Sequence, residues 1–205
     1  VNMVGFCIKN DKVVEEAAKK EIVRRYYNEL NNYKLGISEY DTVQKVKLLM
    51  NELSIDEKYL KVVEVATSKA KEKGSHVIAL ELPNHKIITG KQSSLLSPAS
   101  SVIINAIKTL SHIPDDMDLL SPSVLNPILK LRKNNKPLSL QEVLIALSIC
   151  SVTNPIIEKA IKNLNKLEGC EAHSTYIVQN GDANALKSLK INLTCESDFF
   201  TDEII

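Results

Sequence analysis

Cys170, His173 and Cys195 form the one cysteine and histidine grouping in this 205-residue chain whose spacing offers chemistry. A Cys-x-x-His pair with a second thiol supplies three zinc ligands, or a thiolate together with the base that activates it. Alternation along an extended strand from 170 to 178 argues against the easy version. It puts Cys170 with Ala172 and Ser174 on one face and His173 with Thr175 on the other. The pair converges only if Cys170 lies in the turn after Gly169. No metal site is therefore expected, and His173 in a polar pocket is the better single catalytic candidate, with Cys170 or Cys195 as its partner thiol. Cys150, three positions after Leu147 on an apolar stretch, is expected in the core. His112 is assigned to a helix C-terminus and His85 to a turn.

A second constellation points to anions. Leu-Leu-Ser-Pro occurs at 95–98 and again at 119–122. In each copy the serine can cap the orphan N–H groups of a helix start, and the proline lacks only a donor that had no partner. Helix starts attract phosphate and carboxylate. Lys91, Ser93, Ser94, Ser97, Ser100 and Ser121 are accordingly the candidate ligand-binding residues, on the expectation that both openings share one rim. The nearby Thr89-Gly90-Lys91 is not a P-loop. The glycine needed five residues earlier is His85, and the hydroxyl needed after the lysine is Gln92.

The elements that must position these residues read as a mixed α/β (α+β) domain over 75–205, a small mixed sheet flanked by helices, behind a helical subdomain over 1–74. Val4, Phe6 and Ile8 alternate like a strand. Asn10 or Asp11 caps a helix with the stripe Val14, Ala18, Ile22, Tyr26 and Leu30, ending near Gly36. A second helix follows Asp41, and Ser54 with Glu57 predicts a capping box for a third, stopped at Gly74. Residues 77–82 and 86–90 predict a β-hairpin. A helix follows from Pro98 to about Ser111, then a strand over 117–120. Pro122 and Pro127 both suit first-turn positions, under Ser121 or Asn126. Ser139 and Glu142 open a helix over 143–152 that is apolar nearly all round, so burial on most faces is expected. Asn154 and Pro155 open the next. Strands at 172–178 and 191–195 bracket a short helix at 183–189. The acidic tail from Glu196, with Phe199 and Phe200, is expected to dock or fray.

Composition narrows the class. The 26 basic and 25 acidic residues leave a net charge of +1, which calls for neither nucleic acid nor an anionic membrane. Widely separated cysteines and the absence of a bilayer-length apolar run fit a cytoplasmic protein with reduced thiols. A first residue Val1, already in an alternating pattern, fits a piece of a longer chain.

Several long segments carry a resemblance. They are VNMVGFCIKNDKVVEEAAKKEIVRR (1–25), ALELPNHKIITGKQSSLLSPASSVIINAIKTL, LLSPSVLNPILKL, LQEVLIALSICSVTNP, LEGCEAHSTYIV and INLTCE. Through them the chain resembles the C-terminal portion of a conserved, uncharacterised bacterial protein family of unknown function. The resemblance implies longer full-length members, with an upstream glycine-rich stretch like a nucleotide-binding loop. Some members carry an ATP-dependent peptidase label, which no residue of this chain supports. No catalytic residue or cofactor carries over from it. The hairpin followed by a small-residue helix start also resembles the opening of the cytidine deaminase fold, but Ser-Pro-Ala-Ser-Ser and Ser-Pro-Ser-Val-Leu stand where the zinc ligands would be.

The leading expectation is a module that completes a site for an anionic or phosphate-bearing small molecule, with the missing N-terminal half or another subunit of a homo-oligomer. The alternatives are an enzyme of hydrolase or transferase type using His173 with Cys170 or Cys195, and a structural or oligomerisation module.

Overall fold

The computed structural model describes residues 10–131 and 136–199. The expected strand around Val4, Phe6 and Ile8, and Phe200 of the tail, lie outside that range. The chain divides into two compact units, residues 1–61 and 62–205.

In the first unit, α1 (Asp11–Lys34) begins under Asn10, whose side chain accepts from the Val13 N–H at 3.3 Å. Gly36, at φ 73°, lets the chain turn after it. α2 (Tyr40–Glu52) buries Val43, Val46 and Met50, while Leu49 and Leu53 stay exposed. The Lys47 ammonium lies 5.5 Å from the centre of the Tyr26 ring, a cation–π contact between the two helices. The capping box expected at Ser54 does not form. Ser54 is left-handed (φ 52°) and closes α2, and Asp56 instead caps a 3-10 turn, Glu57–Tyr59, accepting from the Lys58 N–H at 3.0 Å.

The second unit takes in α3 (Lys61–Lys73), which ends at left-handed Gly74, and a four-stranded sheet. The hairpin pairs β1 (Val77–Glu81) with β2 (Ile87–Lys91), with Ile78 opposite Gly90 and Leu80 opposite Ile88. His85 sits in its turn at φ 63°. β3 (Glu171–Ser174) runs antiparallel to β1, and β4 (Asn192–Cys195) runs parallel to β3, giving the order β2-β1-β3-β4. The expected mixed α+β class is what the chain adopts. One sheet face carries Ile78, Leu80, Ala172 and Cys195. Its core continues into α4 (Pro98–Ser111), α6 (Leu140–Ser151), α7 (Pro155–Lys162) and α8 (Asn180–Ser188). Gly90 lets α4 approach the sheet, because a Cβ there would stand 2.6 Å from the Pro98 carbonyl oxygen.

Four further expectations need correction. Residues 117–120 form no strand; Leu119 and Leu120 are both buried, as a loop segment plugged into the core rather than an alternating one. The strand expected over 172–178 stops at Ser174, whose hydroxyl accepts from the Tyr176 N–H and donates to the Tyr176 carbonyl, turning the chain. Pro127 lies inside α5 (Pro122–Leu131) rather than at its start. Finally, α6 is not buried on most faces. Val143, Ala146 and Leu147 face inward, Cys150 is half-buried, and Ile145, Ile149 and Val152 are exposed.

Candidate functional site

The serine-rich opening of α4 is occupied from within. Ser97 accepts from the Ser100 N–H at 3.2 Å, as a cap should. The fully buried Ser100 hydroxyl then donates to the Leu138 carbonyl at 2.9 Å, and the Ser97 N–H donates to the same oxygen at 3.0 Å. Leu96 and Leu138 form a parallel bridge, so the segment before α6 crosses the α4 start and buries Leu138 and Leu140 there. Ser97 and Ser100 are structural. Ser121 lies within hydrogen-bond distance of Ser123 (2.6 Å), and neither it nor the exposed Ser94 lines the cleft described next.

That cleft, of about 440 Å³, runs beside the edge strand β2. Lys91 and Ser93 line it, joined by Lys69 and Lys73 from α3, by Ser101, Ile104, Asn105 and Lys108 from α4, and by Asp115 and Asp118 from the following loop. The α4 residues recur at the spacing of a single helical face. Asn105 donates to the Thr89 carbonyl at 3.0 Å, satisfying an acceptor on the sheet edge. Lys69 and Lys73 each lie 2.8 Å from Glu72, and their hydrogen bonds hold its carboxyl down to about 2. Lys108 is only 6% exposed and donates to the Asp115 carbonyl at 2.9 Å. Neither Lys108 nor Lys91 has an ion-pair partner among the described residues. Four lysines thus meet two aspartates in a chain whose net charge is +1.

Sequence reasoning found Lys91 and Ser93 but missed Lys69, Lys73, Asn105 and Lys108. The polar positions Ser101, Asn105 and Lys108, at intervals of four and three, were the available signal. Nothing local marks Lys69 and Lys73, which only tertiary folding brings to β2.

The third candidate group is split by the sheet. The register places His173 beside Thr194 and Ser174 beside Cys195, so Cys195, with Ala172, is on the core face and His173 on the other. Cys170 packs in the same core as Cys195. The expected His173–thiol arrangement is not formed. Burial pushes both thiols up. Cys195 rises to about 11, and Cys170 is raised by burial first and then by the nearby charges of Glu81 and Glu171. Neither is an activated thiolate. His173 instead bridges Thr194 Oγ1 (2.9 Å, at Nδ1) and Glu196 Oε1 (3.2 Å, at Nε2). The Thr194 hydroxyl donates in turn to the Ala172 carbonyl at 3.1 Å, on the same strand as His173. The carboxylate, imidazole and hydroxyl follow the order of a proton relay. His173 is 0% and Thr194 2% exposed. The chain of bonds ties β4 to β3.

Among the described residues no group of three His, Cys, Asp or Glu side chains is placed to hold a metal ion, and no helix is long and apolar enough to cross a membrane. Residues 58–204 match the family model described as domain of unknown function DUF1846, C-terminal, and residues 1–54 match its N-terminal counterpart. The resemblance to the C-terminal portion alone is thereby widened to both. A UPF0371 protein of Streptococcus thermophilus is 42% identical over 100% of this chain and 42% of its own length. One of Fusobacterium nucleatum is 39% identical over 100% of this chain and 44% of its own, and one of Streptococcus pneumoniae 42% identical over 100% and 42%. The chain spans less than half the length of these relatives. Matched along nearly its whole length by both domain models, it belongs to the DUF1846 family of conserved, uncharacterised bacterial proteins.

Proposed function

We propose that this region binds an anionic, phosphate-bearing small molecule in the cleft beside β2, as a module that completes its site with further chain of a longer protein or with another subunit. One observation carries the reading: Lys108 is a nearly buried ammonium on the cleft wall with no ion pair among the described residues. The neutral Asp115 carbonyl takes only one of the Lys108 ammonium's three donors. A bound anion supplies the missing counter-charge. Lys91 reaches the same space from the sheet edge, and the hydroxyls of Ser93 and Ser101 add donors suited to phosphate oxygens.

The test is calorimetric titration of pyrophosphate, nucleotides and sugar phosphates into a full-length protein containing this region and into its Lys91→Gln variant. Lys91 is exposed, so its loss leaves the core intact. At least one phosphate class is expected to bind and to weaken about tenfold in the variant, the equivalent of one charge-assisted contact at about 1.4 kcal/mol. Equal affinity in both proteins, or no binding by any of the panel, contradicts the reading.

A further inference from the structure

We propose, resting on the anion reading above, that the cleft beside β2 takes a sugar phosphate: a phosphomonoester whose body carries several free hydroxyls. Its volume of about 440 Å³ is of the size that encloses an organic ligand, whereas Lys91 and Lys108 are enough to hold a phosphate group. Asp115 and Asp118 line the same space as four lysines, yet among the described residues neither carboxylate makes an ion pair or a hydrogen bond. The Thr89 hydroxyl is likewise without a partner among them. Asn105 donates to the Thr89 carbonyl at 3.0 Å, and its amide oxygen accepts from no described residue.

These groups choose the body of the ligand. An ionised carboxylate repels a phosphate and can only accept a hydrogen bond, so Asp115 and Asp118 suit donors on an uncharged part of the molecule. Sugar hydroxyls are such donors, and they also accept, which matches the Thr89 hydroxyl. Val77, Leu96, Ile104, Leu119 and Leu120 complete the wall with aliphatic surface, and among the described residues lining the cleft none is aromatic or arginine. A nucleobase is held by stacking on an aromatic ring or a guanidinium plane. The cleft offers it neither. A flat base therefore gains nothing from this wall, while a hydroxylated body meets acceptors.

Calorimetric titration of a full-length protein containing this region tests the proposal, with inorganic phosphate, pyrophosphate, phosphoethanolamine, adenosine monophosphate, ribose 5-phosphate and glucose 6-phosphate as probes. Asp118→Ala is the variant, since Asp118 is exposed in the loop after α4 and its loss leaves the core intact. At least one sugar phosphate is expected to bind about tenfold more tightly than inorganic phosphate, phosphoethanolamine or adenosine monophosphate. Asp118→Ala is expected to weaken that sugar phosphate several-fold and to leave pyrophosphate unchanged or tighter. Suppose pyrophosphate binds and weakens in Lys91→Gln, but no sugar phosphate is favoured, or the favoured one is indifferent to Asp118→Ala. That result overturns the sugar phosphate and leaves the anion reading standing. Equal weakening of sugar phosphate and pyrophosphate by Asp118→Ala overturns it as well. No binding by any probe overturns both.

Discussion

Cys195 lies in the core between β4 and the helices, and its thiol is pushed from 9.0 up to about 11 by loss of water. Cys170 and the Tyr176 phenol are raised by burial too. Below about pH 9 the Cys195 thiol is protonated in the folded and the unfolded chain, and its contribution to stability is complete. As pH climbs from about 9 to 11 the unfolded chain ionises first, and stability falls by roughly 2–3 kcal/mol for this group alone. Urea titrations between about pH 8 and 11 should show the decline, with a shallower slope in Cys195→Ala. A profile flat through that window contradicts the burial described. His173 makes the complementary point. Its residue type and its neighbour Cys170 suggested catalysis, while alternation along β3 already separated them, and the structure follows the alternation.

Local chemistry fixes the element starts, and distant partners decide what those starts do. Ser97-Pro98 and Ser121-Pro122 open helices, Glu142 accepts from the Ser139 N–H and hydroxyl at 2.8 and 2.7 Å, and Asn154 caps α7, all legible from four-residue patterns. The occupation of the α4 opening by Leu138 was not legible, because it joins residues far apart in the chain. Nor was the contact at Asp182, whose buried carboxylate on α8 accepts from the Leu140 N–H at 2.6 Å. Asp182→Ala should cost about 1–2 kcal/mol in denaturant unfolding by leaving that first-turn donor unpaired; no loss of stability would remove the cap from the account. Gly90→Ala should cost about 2–4 kcal/mol, since the new methyl meets backbone of α4 rather than a side chain that can rotate away. Near-neutral unfolding energies for that variant would mean that α4 and β2 are further apart than described. The strand misread at 117–120 has the same origin: two adjacent leucines, both buried, obey the needs of the core and not the period of a strand.

Across the whole molecule, a net charge of +1 hides an uneven distribution, which is why composition did not suggest the cleft. Lysines from α3, β2 and α4, scattered through the sequence, gather along one edge of the sheet. The fold class and most helix starts could be read from the sequence; the cleft could not, since it exists only where three elements meet. Its occupancy is tested most directly by lysine acylation footprinting, read peptide by peptide with and without saturating pyrophosphate. Lys91 is expected to be protected several-fold, while Lys86 and Lys187, exposed and outside the cleft, react unchanged. Equal reactivity of Lys91 in both samples, or equal protection of all three, would contradict anion binding in the cleft.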